Sequence, residues 1–196
     1  MIIAVITAAL FAMPQATVLD EDVQDYAYII EQAQKCKYSR GKEIRPGLLT
    51  ELARIEKRYN PPPELKGMLL AAACHQSGFN PNALGDWRTR TRRGKKVRVA
   101  MAVGLFQMWP WWESKKGYAV DRRNPLQAAD AFMRHIVRQL PKVKKRCKYR
   151  SLERRWIAAW VTAIRSPKKD GRCREKPLHL RFLRRWQKNI KRTYGC

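Results

Sequence analysis

Between the triple proline Pro61-Pro62-Pro63 and Gly78 lies the stretch that most restricts what this chain can fold into. Residues Glu64–Gln76 carry Leu65, Met68, Leu69, Leu70, Ala71-Ala72-Ala73 and Cys74, which cover nearly every side of a helical projection. A helix without a polar face cannot lie on a surface, so the remaining elements must be wrapped around it. Proline is accepted in a first helical turn and excluded from a helix interior, so Asn60 and the prolines end one helix and start the next. Gly78 ends the buried one, where a positive φ is needed to leave the helix.

The flanking sequence supplies the wrapping. Val23–Cys36 is expected as a helix. Leu48, Leu52, Ile55 and Tyr59 recur at steps of four, three and four, one face of an amphipathic helix. Asn80–Val103 changes character, with Trp87, Thr89 and Thr91, a turn at Gly94-Lys95, then Val97, Val99 and Met101, the pattern of a β-ribbon. Asn124-Pro125 is a good helix start. The helix that follows buries Leu126, Ala129, Phe132, Met133, Ile136 and Leu140, with Pro141 expected to close it. Ser151–Arg165 sets Trp156, Ala159, Trp160 and Ala163 on one face, and Pro177–Arg192 does the same with Phe182, Leu183, Trp186 and Ile190. The expected fold class is α+β, mostly α, a helical domain with a small β-ribbon.

Charge is distributed unevenly. The chain has 42 Lys and Arg against 16 Asp and Glu, a formal +26. Residues 1–66 hold nine acids and nine bases, so the whole excess falls after Lys66, densest in Arg88–Arg98, Lys142–Arg155 and Arg165–Arg192. With 45% hydrophobic residues and seven Trp the chain can bury a core, which excludes a disordered polycation. Such a basic surface is drawn to polyanions: nucleic acid, anionic lipid or acidic wall polymers. No apolar run reaches the roughly eighteen residues that span a bilayer. Met1–Ala16 holds an apolar run of signal-peptide length, although no Lys or Arg precedes it and Pro14 would fall at −3. The expected organisation is a signal peptide over 1–16 and one domain over 17–196 with basic C-terminal helices, exported to the periplasm or beyond. Export favours two disulfides among Cys36, Cys74, Cys147, Cys173 and Cys196. Cys74, inside the apolar helix, is expected as the buried free thiol, leaving three pairings of the other four. Their irregular spacing does not suit zinc, and no metal or cofactor is expected.

The chemistry concentrates in two runs, His75-Gln76-Ser77-Gly78-Phe79-Asn80-Pro81-Asn82-Ala83 and Ala102-Val103-Gly104-Leu105-Phe106-Gln107-Met108-Trp109-Pro110. Together they resemble the lysozyme and soluble lytic transglycosylase superfamily. There a buried helix ends in Glu-Ser-Gly-Phe-x-Pro-x-Ala, and a Gly-Leu-Met/Phe-Gln-Ile/Met run closes the cleft after a ribbon of variable length. Asn124-Pro125-Leu126 is similar to the start of the family's next helix, and the resemblance covers about residues 45–165. It implies a lysozyme-like domain with its ribbon beside the cleft, and the MurNAc–GlcNAc glycan of peptidoglycan as substrate.

A glycosidic oxygen leaves only when a carboxylic acid protonates it, and a desolvated helix C-terminus keeps such an acid protonated. Here that position holds Gln76, an amide of the same size with no proton to give. Two readings fit: a natural wall-binding pseudoenzyme, or the isosteric substitution that disables an active enzyme. Asp86 is the candidate second carboxylate, its other reading being a turn residue in Leu84-Gly85-Asp86. Ser77, Gly104, Leu105, Phe106, Gln107 and Trp109 are the candidate substrate contacts. Trp160 joins them by stacking on a sugar, although Ala159-Trp160-Val161 stands where the family has a Tyr-Asn pair. Trp109-Pro110-Trp111-Trp112 reads equally as a sugar platform or a core wedge, and His75, His135 and His179 form no triad. The expected function is therefore a peptidoglycan-directed muramidase or lytic transglycosylase type of protein lacking its general acid. Its partners would be glycan strands and anionic wall polymers, with no specific nucleic acid. The alternative is a cationic nucleic-acid- or membrane-binding protein on the same scaffold.

Overall fold

The computed structural model describes residues 21–39, 43–114, 118–147, 151–164 and 178–194. The expected signal peptide, Cys173 and Cys196 lie outside the described residues. Six α-helices and one two-stranded antiparallel sheet are described: α1 (Ala27–Gln34), α2 (Pro46–Arg58), α3 (Met68–Ser77), β1 (Leu84–Arg92), β2 (Lys95–Val103), α4 (Pro125–Cys147), α5 (Leu152–Ile164) and α6 (Leu178–Tyr194). The class is α+β and mostly α. No described helix is long and apolar enough to cross a membrane.

Helix α3 is the centre. Every residue from Met68 to Cys74 is fully buried, and α1, α2 and α6 pack around it while α4 pairs with α5 and rests on α2. The helix starts four residues later than the sequence suggests. Pro63–Leu65 forms a 3-10 turn, and the chain turns at Gly67 before α3 begins at Met68. The reason is a buried acid. Glu56 of α2, fully buried, accepts the backbone N–H groups of Gly67 (2.5 Å) and Leu69 (2.7 Å) and the hydroxyl of Tyr26 (3.1 Å). It thereby satisfies donors that a helix start leaves without partners.

Two further expectations change. Pro141 does not close α4, which runs on to Cys147. The proline ring and lost N–H fall at an exposed position on the helix, where they meet solvent and not the core, and the helix runs through them. Cys74 is not a free thiol: it is bonded to Cys36, with Cα atoms 5.9 Å apart. Cys36 follows α1 directly and is buried against α3, which brings the two sulfurs together in the core. Cys147 is disulfide-bonded as well.

Other starts follow the local chemistry. The Asn124 side chain accepts the N–H of Leu126 and of Gln127, both at 3.1 Å, capping α4. Ser151 Oγ accepts the N–H of Arg154 ahead of α5. In the ribbon, Arg92 pairs with Lys95 across the two-residue turn Arg93-Gly94. Both turn residues have positive φ, 50° and 75°, as a type I′ hairpin turn requires.

Candidate functional site

At the C-terminal end of α3 a cleft of about 1020 Å³ opens. Gly78 makes the end possible: its φ is +60°, and a Cβ there would lie 2.1 Å from the carbonyl oxygen of Tyr38. Only glycine lets the segment carrying Tyr38 close onto the helix end. Cys36–Cys74 ties the same two segments together one turn away.

Gln76 and Ser77 are half-buried and line the cleft, and Ser77 Oγ donates back to the Ala73 carbonyl at 3.1 Å. His75 also lines it, its ring edge-on to Tyr38 at 5.4 Å and to Phe182 at 6.1 Å. Desolvation, with the charge of Lys37 second, lowers the pKa of His75. The other wall residues include Tyr38, Ile44 and Leu48, and the carboxylates Glu43 and Glu51. Glu51 is ion-paired with Arg54 one turn along α2.

The ribbon base supplies the remaining wall. Gly104 has φ +80°, and a Cβ on it would lie 2.0 Å from the Arg122 carbonyl oxygen. Val103 and Met108 exchange both backbone hydrogen bonds, at 3.0 and 2.9 Å, closing the tight loop between them. Gln107 lies in that loop with φ +49° and lines the cleft. Its Nε2 donates to the carbonyls of Ala83 (3.2 Å) and Gly104 (3.0 Å), which fixes the amide and directs Oε1 toward Gly85. Arg122, 12% exposed at its side chain, clamps the loop by donating to the carbonyls of Met101 and Met108 at 2.9 Å each, while its Nε donates to Glu113.

Of the sequence-predicted site residues, Gln76, Ser77 and Gln107 are therefore brought to one cleft. Gly104 shapes the loop without lining it. Leu105 and Phe106 point into the core, Leu105 fully buried and Phe106 stacked on Phe132 at 4.8 Å, so neither offers a surface to a sugar. Trp160 is also fully buried and cannot stack on a glycan. Its indole fills the core where a helix carrying Trp156, Ala158 and Ala159 packs onto α4. Asp86 and Trp109 form their own pair outside the cleft lining: the indole Nε1 donates to the Asp86 carboxylate at 3.0 Å, and the guanidinium of Arg88 lies 4.8 Å above the same ring. Of the neighbouring tryptophans, Trp112 is a core wedge against Tyr118 and His135, and Trp111 stacks on it from the half-exposed side.

The residues not foreseen are Glu43, Glu51, Glu56 and Arg122. Glu56 had a signal: it falls at helical spacing with Leu49, Leu52 and Ala53 on the buried face of α2, an acid where the pattern asks for an apolar residue. Desolvation pushes its carboxyl up to about 7, against the pull of the Leu69 and Gly67 N–H groups and the Tyr26 hydroxyl. Glu56 caps the N-terminus of α3, whereas Gln76 sits about 12 Å along the axis at the other end. The buried acid is therefore no substitute for a proton donor in the cleft. No family model matches the chain, and neither a curated protein nor a solved structure was found to match it.

Proposed function

We propose that the protein is a lysozyme-like, peptidoglycan-directed protein whose cleft receives the MurNAc–GlcNAc glycan, with Gln76 at the general-acid position. One observation carries this reading. Gln76, at the end of a helix buried on all sides, and Gln107, in a loop clamped by Arg122, line the same cleft, although a whole β-ribbon separates them in the chain. A half-buried helix C-terminus is where a carboxylic acid would be held protonated next to a leaving oxygen. The fixed amide of Gln107 offers a carbonyl oxygen for a sugar N–H or hydroxyl.

With an amide at position 76 there is no proton to give to the glycosidic oxygen and no base to activate an attacking hydroxyl, so the protein grips glycan without cutting it. The cleft volume is at the upper limit of sites that take small ligands. The test uses purified sacculi. The protein as it stands is retained on them through high salt and releases no soluble fragments, and Gln76→Glu releases them. Absence of both retention and release would overturn the reading.

A further inference from the structure

The β1–β2 ribbon rises from the cleft rim, and its tightest packing is strand on strand. Only its base, Met101–Val103, is buried. From Asp86 to Val99 every residue is exposed. Seven cations stand on this arm: Arg88, Arg90, Arg92, Arg93, Lys95, Lys96 and Arg98. Asp86 is the single acid, and it is engaged by Trp109. We infer that the ribbon is a binding arm for duplex DNA, held through the backbone phosphates without regard to sequence.

The register sorts the side chains. Cross-strand partners share a face, so Arg88, Arg90 and Arg92 lie with Val99, Val97 and Lys95 on one side. Trp87, Thr89 and Thr91 lie with Ala100, Arg98 and Lys96 on the other. Cations therefore occupy both faces and the tip. Two are braced by rings: Arg88 over Trp109, and Arg98 over Trp87 at 5.6 Å. Such bracing reduces the rotamer freedom each guanidinium gives up on binding.

This distribution discriminates among polyanions. A membrane surface engages one face, and an element that lies in it gathers its apolar groups on that face. Here the exposed apolar groups are split, Trp87 on one side and Val97 and Val99 on the other. A major groove about 12 Å wide admits a two-stranded ribbon and borders it with phosphates on both flanks. A rigid groove meets both charged faces at once, whereas a flexible polymer must lose conformational freedom to wrap them. None of the seven cations lines the cleft, so the inference stands apart from the glycan reading.

The experiment measures anisotropy of short labelled duplexes of two unrelated sequences with the full chain across a salt series. If all seven cations meet phosphates, log K falls against log salt with a slope of about −6, roughly a 10³-fold loss or more between about 50 and 200 mM. The two sequences should bind within about threefold of each other. R88Q/R90Q/R92Q should make the slope shallower by about 3 and weaken binding by roughly tenfold or more, with the single R90Q shifting it by about 1. K142Q/K144Q/K145Q removes the same charge from exposed positions of α4 and should leave affinity within about threefold, with folding of each variant checked by circular dichroism. Equal losses from the two triple variants, or none from the ribbon variant, overturn the inference. So does a ribbon variant, R90Q included, that loses binding to anionic vesicles or sacculi but keeps its affinity for DNA.

Discussion

Glu56 offers the sharpest test of the physical reasoning, because two large effects on it oppose each other. Complete burial favours the neutral acid, and the donors aimed at its oxygens, the backbone N–H groups of Leu69, Gly67 and Met68 and the Tyr26 hydroxyl, favour the carboxylate. Burial wins, and the group is raised from 4.5 to about 7. In the unfolded chain the acid loses its proton near 4.5, while in the fold it keeps it until about 7. The associated stability is complete below about 4.5 and is lost as pH rises to about 7, an amount of roughly 3 kcal/mol. Glu56→Gln abolishes this titration. The amide oxygen can still accept from Tyr26 and Gly67, but its NH₂ then faces the Leu69 N–H and leaves that donor unsatisfied, at a cost of roughly 1–3 kcal/mol. Urea unfolding of both proteins at pH 4.5 and 7.5 separates the two effects, since every other titration is common to both. The advantage of the parent over E56Q should shrink by roughly 3 kcal/mol from the lower to the higher pH. An advantage that stays constant or grows with pH means that the donors outweigh desolvation, and the reasoning is wrong.

Two other perturbations have calculable outcomes. Gly104→Ala places a methyl group 2.0 Å from the Arg122 carbonyl oxygen at φ +80°. It should lower stability by roughly 2 kcal/mol or more, read as a drop in Tm, with sacculus retention falling as the Gln107 loop is displaced. Removing the Cys36–Cys74 bond with Cys36→Ala and Cys74→Ala frees a closure spanning 38 residues, and should cost about 4 kcal/mol in denaturant unfolding. An unchanged midpoint would show that α1 and the Tyr38 segment are held to α3 by packing alone.

How much was readable in advance depended on the range of the interaction involved. The Asn124 cap and the amphipathic face of α2 act over a few residues, and each stands where the pattern puts it; the ribbon forms with its turn one residue earlier, at Arg93-Gly94, and Leu126 of the expected α4 face is exposed. The start of α3 is not visible in its own sequence because its cap comes from Glu56, on a different helix. The motif fixes the position of Leu105 and Phe106 in the chain, but whether a side chain faces cleft or core depends on what lies beneath the loop, here Phe132. Trp160 shows the same limit: an amphipathic pattern identifies the face that packs and says nothing of whether a groove lies against it.

The amino-acid order alone set the buried centre, since Met68–Cys74 has no side that water would accept. It also set the concentration of cations after Lys66, because composition does not depend on folding. What only the assembled molecule decided was pairing at a distance: Cys74 with Cys36, Glu56 with the amides of α3, and Gln76 with Gln107 across one opening. Such pairs depend on chain closure and on burial, and both are properties of the folded whole and not of any local window.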